Sequence, residues 1–109
     1  MAEGVQKVSD VNFAAEVEKA TGIVVVDFAA SWCPPCRMLA PIVAQVAAEV
    51  AARAKVVTLD VDESRNTAVR FNVLNVPTMV FFKDGKEVQR LVGVTAKDKI
   101  IKVIDGLAK

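Results

Sequence analysis

The chain has 109 residues, 53% of them hydrophobic, with 14 basic against 13 acidic side chains and a net charge of +1. That is enough apolar material for one domain with its own core, and it argues against disorder. Balanced, unclustered charge offers no grip on nucleic acid or an anionic membrane, and the absence of histidine excludes Cys–His nucleophile pairs, His-ligated metal and CxxCH haem attachment.

The opening MAEGVQKVSD lacks the apolar stretch of a secretory signal, and no apolar run reaches membrane-spanning length. A soluble, cytoplasmic monomer with a single domain over residues 1–109 is expected. Val5 to Val8 reads as a short edge strand. Ser9, Asp10 and Asn12 mark a helix start, with Phe13 and Val17 on one face and Gly22 as the stop. Ile23 to Ala29, IVVVDFA, is β-branched and apolar on both faces, the pattern of a central strand covered on each side, and Asp27 interrupts it.

After DFAASWCPPCRMLAP, the residues Leu39, Ile42, Val43, Val46 and Val50 recur at helical spacing, with a kink expected at Pro41. Val56 to Val61 is a second buried strand, and a short helix follows from Ser64 to Phe71. Thr78 to Lys83 and Glu87 to Val92 flank Asp84-Gly85, a hairpin signal because both central positions of a type I′ turn need positive φ. Thr95, with Asp98 three residues on, reads as a capping pair for a last helix whose apolar face is Ile100, Ile101, Ile104 and Leu107. The order defines an α/β architecture with a mixed sheet.

Both cysteines, Cys33 and Cys36, fall where the buried strand gives way to the long helix. A disulfide across two residues closes too short a loop to constrain the unfolded chain much, so the pair is a poor staple. As a redox couple the spacing is right: one thiolate attacks a disulfide, and its neighbour releases the product from within the same molecule. Cys33, just outside the helix N-terminus, is placed to ionise; Cys36, inside the first turn, should be less exposed and keep its proton. Pro34 and Pro35 suit a helix start and stiffen the loop, but they remove two donors and leave mainly the Cys36 N–H to stabilise the Cys33 sulfur. Two thiols without histidine leave a zinc site half built, so no metal is expected.

Asp27 would cost several kcal/mol to bury ionised and unpaired, so its pKa should be raised. Six residues before Cys33, such a carboxyl could take the Cys36 proton through a water; the plainer reading is an Asp capping a loop in contact with solvent. Val76-Pro77-Thr78 opens a strand, a position where proline is tolerated.

With WCPPC, Asp27, Val76-Pro77-Thr78 and Gly93 in hand, the chain resembles the thioredoxin family from Val5 to about Leu107, through VDFAASWCPPCRMLAPI, VDE, VPTMVFFKDG and LVG. The resemblance implies a five-stranded mixed sheet flanked by four helices, with Pro77 cis beside the cysteines. It implies reversible dithiol–disulfide exchange with protein disulfide substrates: Cys33 as nucleophile, Cys36 as resolving thiol, Asp27 as buried proton acceptor and a reversible Cys33–Cys36 disulfide. Trp32, Pro34, Pro35, Val76, Pro77, Val92 and Gly93 would form the apolar docking surface. No bound cofactor is implied, and a separate reductase would regenerate the dithiol. Three departures stand out: Pro34 where the family usually has glycine, Ala29 where it usually has a second tryptophan, and Thr58 where it often has lysine near the buried Asp. The rival readings are an oxidase or isomerase on the same fold, a reductase dedicated to one partner, and a binding subunit whose thiols are idle.

Overall fold

In a computed structural model describing residues 1–109, the elements run β1 (Gln6–Val8), a π-wound turn (Ala14–Glu18), β2 (Ile23–Ala29), α1 (Pro34–Val50), β3 (Ala54–Asp60), α2 (Arg65–Arg70), β4 (Thr78–Lys83), β5 (Lys86–Val92) and α3 (Lys97–Leu107). The sheet order is β1-β3-β2-β4-β5, with β1, β3 and β2 parallel, β4 antiparallel to β2 and β5 antiparallel to β4. The mixed five-stranded sheet with four helical segments is the architecture expected.

The period of two along β2 divides the core. Ile23 and Val25 join Leu39, Val43, Val46 and Val50 of α1 and Ile100 and Ile104 of α3 in one layer. Val24, Val26 and Phe28 face the other layer, with Phe13, Val17 and Phe82. There Phe13, Phe71 and Phe82 pack tilted and edge-on with ring centroids 5.3 to 5.8 Å apart. Each such side chain taken out of water contributes about 1.5–3 kcal/mol, so burial of both faces makes β2 the anchor of the sheet.

Two local expectations change. The segment after Ser9 is not a regular helix. Asn12 Oδ1 accepts the Ser9 N–H at 2.7 Å, and the single turn that follows is closed by Lys19 N–H to the Ala14 carbonyl at 2.9 Å, a span of five residues. So short a segment forms few helical bonds, and the packing of Phe13 and Val17, 1% and 0% exposed, decides its winding. Thr95 does not cap α3: its hydroxyl donates to the Gly93 carbonyl at 3.2 Å, and Ala96 occupies the cap without a side-chain bond. Pro41 lies within α1 on its exposed side, where water can satisfy the carbonyl that the missing N–H leaves free.

The hairpin forms as expected, with φ of 50° at Asp84 and 83° at Gly85. It also clamps the far end of the sheet: Asp84 N–H reaches the Gly22 carbonyl at 2.9 Å, and Gly22 N–H returns to Asp84 Oδ1 at 2.8 Å. A Cβ at Gly85 would run into the Glu18 carbonyl, so the turn demands glycine for space as well as for φ.

Candidate redox site

The reactive loop leaves the end of β2, between β3 and β4. Cys33 N–H bonds to the Ala30 carbonyl at 3.2 Å, closing the turn that points the chain into α1. Cys33 is the N-cap, with φ −87° and ψ 112°, and Pro34 and Pro35 take the first two helical positions. The first amide able to donate is that of Cys36, and it donates to Cys33 Sγ at 3.2 Å. Arg37 N–H meets the Cys33 carbonyl at 3.1 Å. The two cysteines are joined as a disulfide with Cα atoms 5.2 Å apart.

Exposure does not separate the two cysteines in the oxidised form, where both are buried. Cys33 is 2% exposed and Cys36 5% in this oxidised form, because the joined sulfurs sit among Ala29 and Ala30 with Val61 and Val76 packed against them. The asymmetry between the two lies in hydrogen bonding: Cys33 Sγ accepts the helix's first available N–H.

The Val76–Pro77 bond is cis, and the Val76 carbonyl oxygen lies 3.7 Å from Cys33 Sγ. Gly93 N–H bonds to the Pro77 carbonyl at 2.8 Å, and Val92 pairs with Thr78, so β5 brings Val92 and Gly93 beside the same loop. Trp32 and Val92 are 62% and 59% exposed, Pro34 and Pro35 are exposed, Val76 and Gly93 are half-buried, and Pro77 is buried beneath them. All the residues expected of the docking surface therefore lie around one reactive loop. Leu74, two residues before Val76, is also exposed, at 80%.

Asp27 sits within β2, 2% exposed, and its Oδ1 has no hydrogen-bond partner. Thr58 is opposite in register, but its hydroxyl donates to the Asp27 main-chain carbonyl at 3.3 Å, not to the carboxyl. Burial pushes the Asp27 pKa from the ordinary 3.8 up to about 7, offset only in part by the positive charge of the Met1 amino group. A cavity of about 20 Å³, the room one water needs, is lined by both Asp27 and Cys36, with Ala29, Ala40 and Met1 among its walls. The capping alternative for Asp27 thus finds no contact in the fold. Sequence reasoning missed the parts played here by Met1 and by Ala29, whose small side chain leaves room at this wall.

A cysteine pair closed at the start of a helix, next to a cis proline and over a buried carboxyl, defines a thiol–disulfide oxidoreductase. Comparison with known proteins gives the family: the thioredoxin family model matches residues 4–106. The chain is 41% identical over 99 residues to thioredoxins from Staphylococcus aureus strains Mu50, MW2 and N315, spanning 91% of this chain and 93% of each relative. It belongs to the thioredoxin family, and its redox group is its own cysteine pair. No helix is long and apolar enough to cross a membrane.

Proposed function

We propose that the protein is a cytoplasmic, monomeric electron carrier that reduces disulfides in protein substrates and is itself re-reduced by a separate reductase. In the reduced form the Cys33 thiolate attacks one sulfur of a substrate disulfide, forming a mixed disulfide and expelling the other substrate sulfur as a thiolate, which takes a proton from water. Cys36 then gives up its proton, attacks Cys33 Sγ and expels the second substrate thiolate. The intramolecular disulfide that remains is the oxidised protein. Two electrons pass to the substrate, and the reductase returns them with two protons.

The observation that carries the assignment of roles is the Cys36 N–H on Cys33 Sγ at 3.2 Å. It stabilises negative charge on Cys33 and on no other sulfur, with the positive end of α1 acting in the same sense. Asp27 is the proton acceptor for Cys36. At a pKa of about 7 it is half ionised near neutrality, and the cavity it shares with Cys36 has room for one relay water. Trp32, Pro34, Pro35, Val76, Val92 and Gly93 dock the substrate, with Pro77 supporting them from beneath, and the substrate's extended chain pairs with the Val76 backbone beside Cys33.

Alkylation of the reduced protein tests these roles. Iodoacetamide should modify Cys33 first at neutral pH, Cys33→Ser should abolish insulin reduction, and Cys36→Ser should accumulate the mixed disulfide. Cysteines that titrate alike, or Cys36 reacting first, would refute the assignment.

A further inference from the structure

Trp32 is the chain's only tryptophan, it directly precedes Cys33, and at 62% exposure its ring is not fixed by packing. One polar contact orients it: the indole N–H, its sole donor, meets Asp62 Oδ2 at 2.7 Å. Ala29 and Asp60 are opposite in register on parallel strands, so the loops that follow leave the same end of the sheet side by side. Val61 N–H ties them together by bonding to the Ala29 carbonyl at 2.9 Å. Asp60, 5% exposed, accepts Asp62 N–H at 2.8 Å and Glu63 N–H at 3.3 Å on its Oδ1. A buried carboxylate thus fixes the Asp62 backbone, and the Asp62 carboxylate fixes the indole. On the other side, the loop backbone is braced independently by Arg37, which donates to the Ser31 carbonyl at 3.0 Å.

We propose that Asp62 is a positioning residue for substrate docking. It holds the Trp32 ring in one orientation beside the reactive sulfur, so that a partner chain meets a preorganised apolar surface and does not have to immobilise a free rotor. The inference rests on the reading of Trp32 as a docking residue, and it makes a claim that reading does not: the orientation of the ring is set from the loop after β3, not from the reactive loop itself. Asp62 touches neither sulfur nor substrate in this scheme, and the chemical step does not depend on it.

Because Trp32 is the sole indole, fluorescence reports its freedom directly. Asp62→Ala should raise iodide quenching and lower the anisotropy of Trp32, and Asp62→Asn, which keeps an acceptor oxygen, should resemble the parent. In dithiothreitol-driven insulin reduction, Asp62→Ala should raise KM about fivefold, the scale of one side chain immobilised on binding, with kcat within about twofold. In a Trp32→Phe background, which has no indole N–H, Asp62→Ala should add nothing. The proposal is overturned by unchanged fluorescence, by an unchanged KM, by an equal KM rise in the Trp32→Phe background, or by an Asp62→Asn as impaired as Asp62→Ala. Trp32→Phe alone leaving KM untouched would instead count against the docking role of Trp32, while the fluorescence still judged the Asp62 contact.

Discussion

Replacing Asp27 by Asn should stabilise the oxidised protein by an amount that grows with pH. The Asp27 pKa is raised from 3.8 to about 7, so the folded state holds a proton that the unfolded chain releases between those values. For an acid shifted upward the sign is fixed: full stability exists below the unfolded value and is lost as pH rises through the folded one. Integrated over the whole window, the loss reaches about 4 kcal/mol. Between pH 5 and pH 8 it amounts to about 3 kcal/mol, because part has already occurred below pH 5. Asn carries no such penalty. Its buried amide, facing a cavity rather than a partner, costs about 1–3 kcal/mol, but that cost does not change with pH and cancels when two pH values are compared. The assay is urea unfolding of the disulfide-intact protein by far-UV circular dichroism at intervals from pH 5 to pH 8.5, with both cysteines locked so that neither titrates. The advantage of Asp27→Asn should rise by about 3 kcal/mol across the range and level off above the folded pKa. A difference that stays flat would show an ordinary carboxyl at position 27 and remove it as proton acceptor.

Other changes probe the scaffold. Gly85→Ala should destabilise by about 1–3 kcal/mol in urea unfolding, since the methyl collides with the Glu18 carbonyl and the residue stays at positive φ. A loss within a few tenths would refute the close packing of the hairpin tip. Asp10→Ala should destabilise at neutral pH, because Asp10 Oδ1 accepts both the N–H and the hydroxyl of Thr67, at 2.8 and 2.6 Å, in the first turn of α2. The Thr67 hydroxyl bond is the main cause that holds the Asp10 pKa below 3.8, so the contribution is present above the ordinary value and is lost as pH falls through the lowered one. Unfolding midpoints of the two proteins should therefore converge in acid; a gap that persists there would contradict the cap.

The parts of this molecule that could be read in advance are those with strong local signatures. β2 and β4 begin and end where their β-branched and aromatic runs do, at Ile23–Ala29 and Thr78–Lys83, because burial on both faces leaves no polar residue inside the run except Asp27. The WCPPC stretch announced the chemistry, and the proline pair announced which amide would face Cys33. The less legible features depend on residues far apart in the chain. Thr95 reads as a cap, yet it turns back to Gly93, while a donor in the first turn of α2 is satisfied by Asp10 from 57 positions away. The burial of both cysteines in the oxidised form has the same origin: Val61 and Val76, which pack against them, lie far away in the chain. Asp62 stood in plain view within VDE, but nothing local says that a neighbouring parallel strand will deliver an indole to it.

The alternation along β2 has one more consequence. Asp27 shares its face with Ile23 and Val25, toward α1, while Val26 and Phe28 point through the sheet to the opposite layer. Adding or deleting a single residue between the Gly22–Asp84 clamp and position 27 would therefore carry the acid to the wrong side, even if every strand still formed. Spare length can be absorbed in the loop before Ile23, but inside the strand the count is fixed by what one carboxyl has to reach.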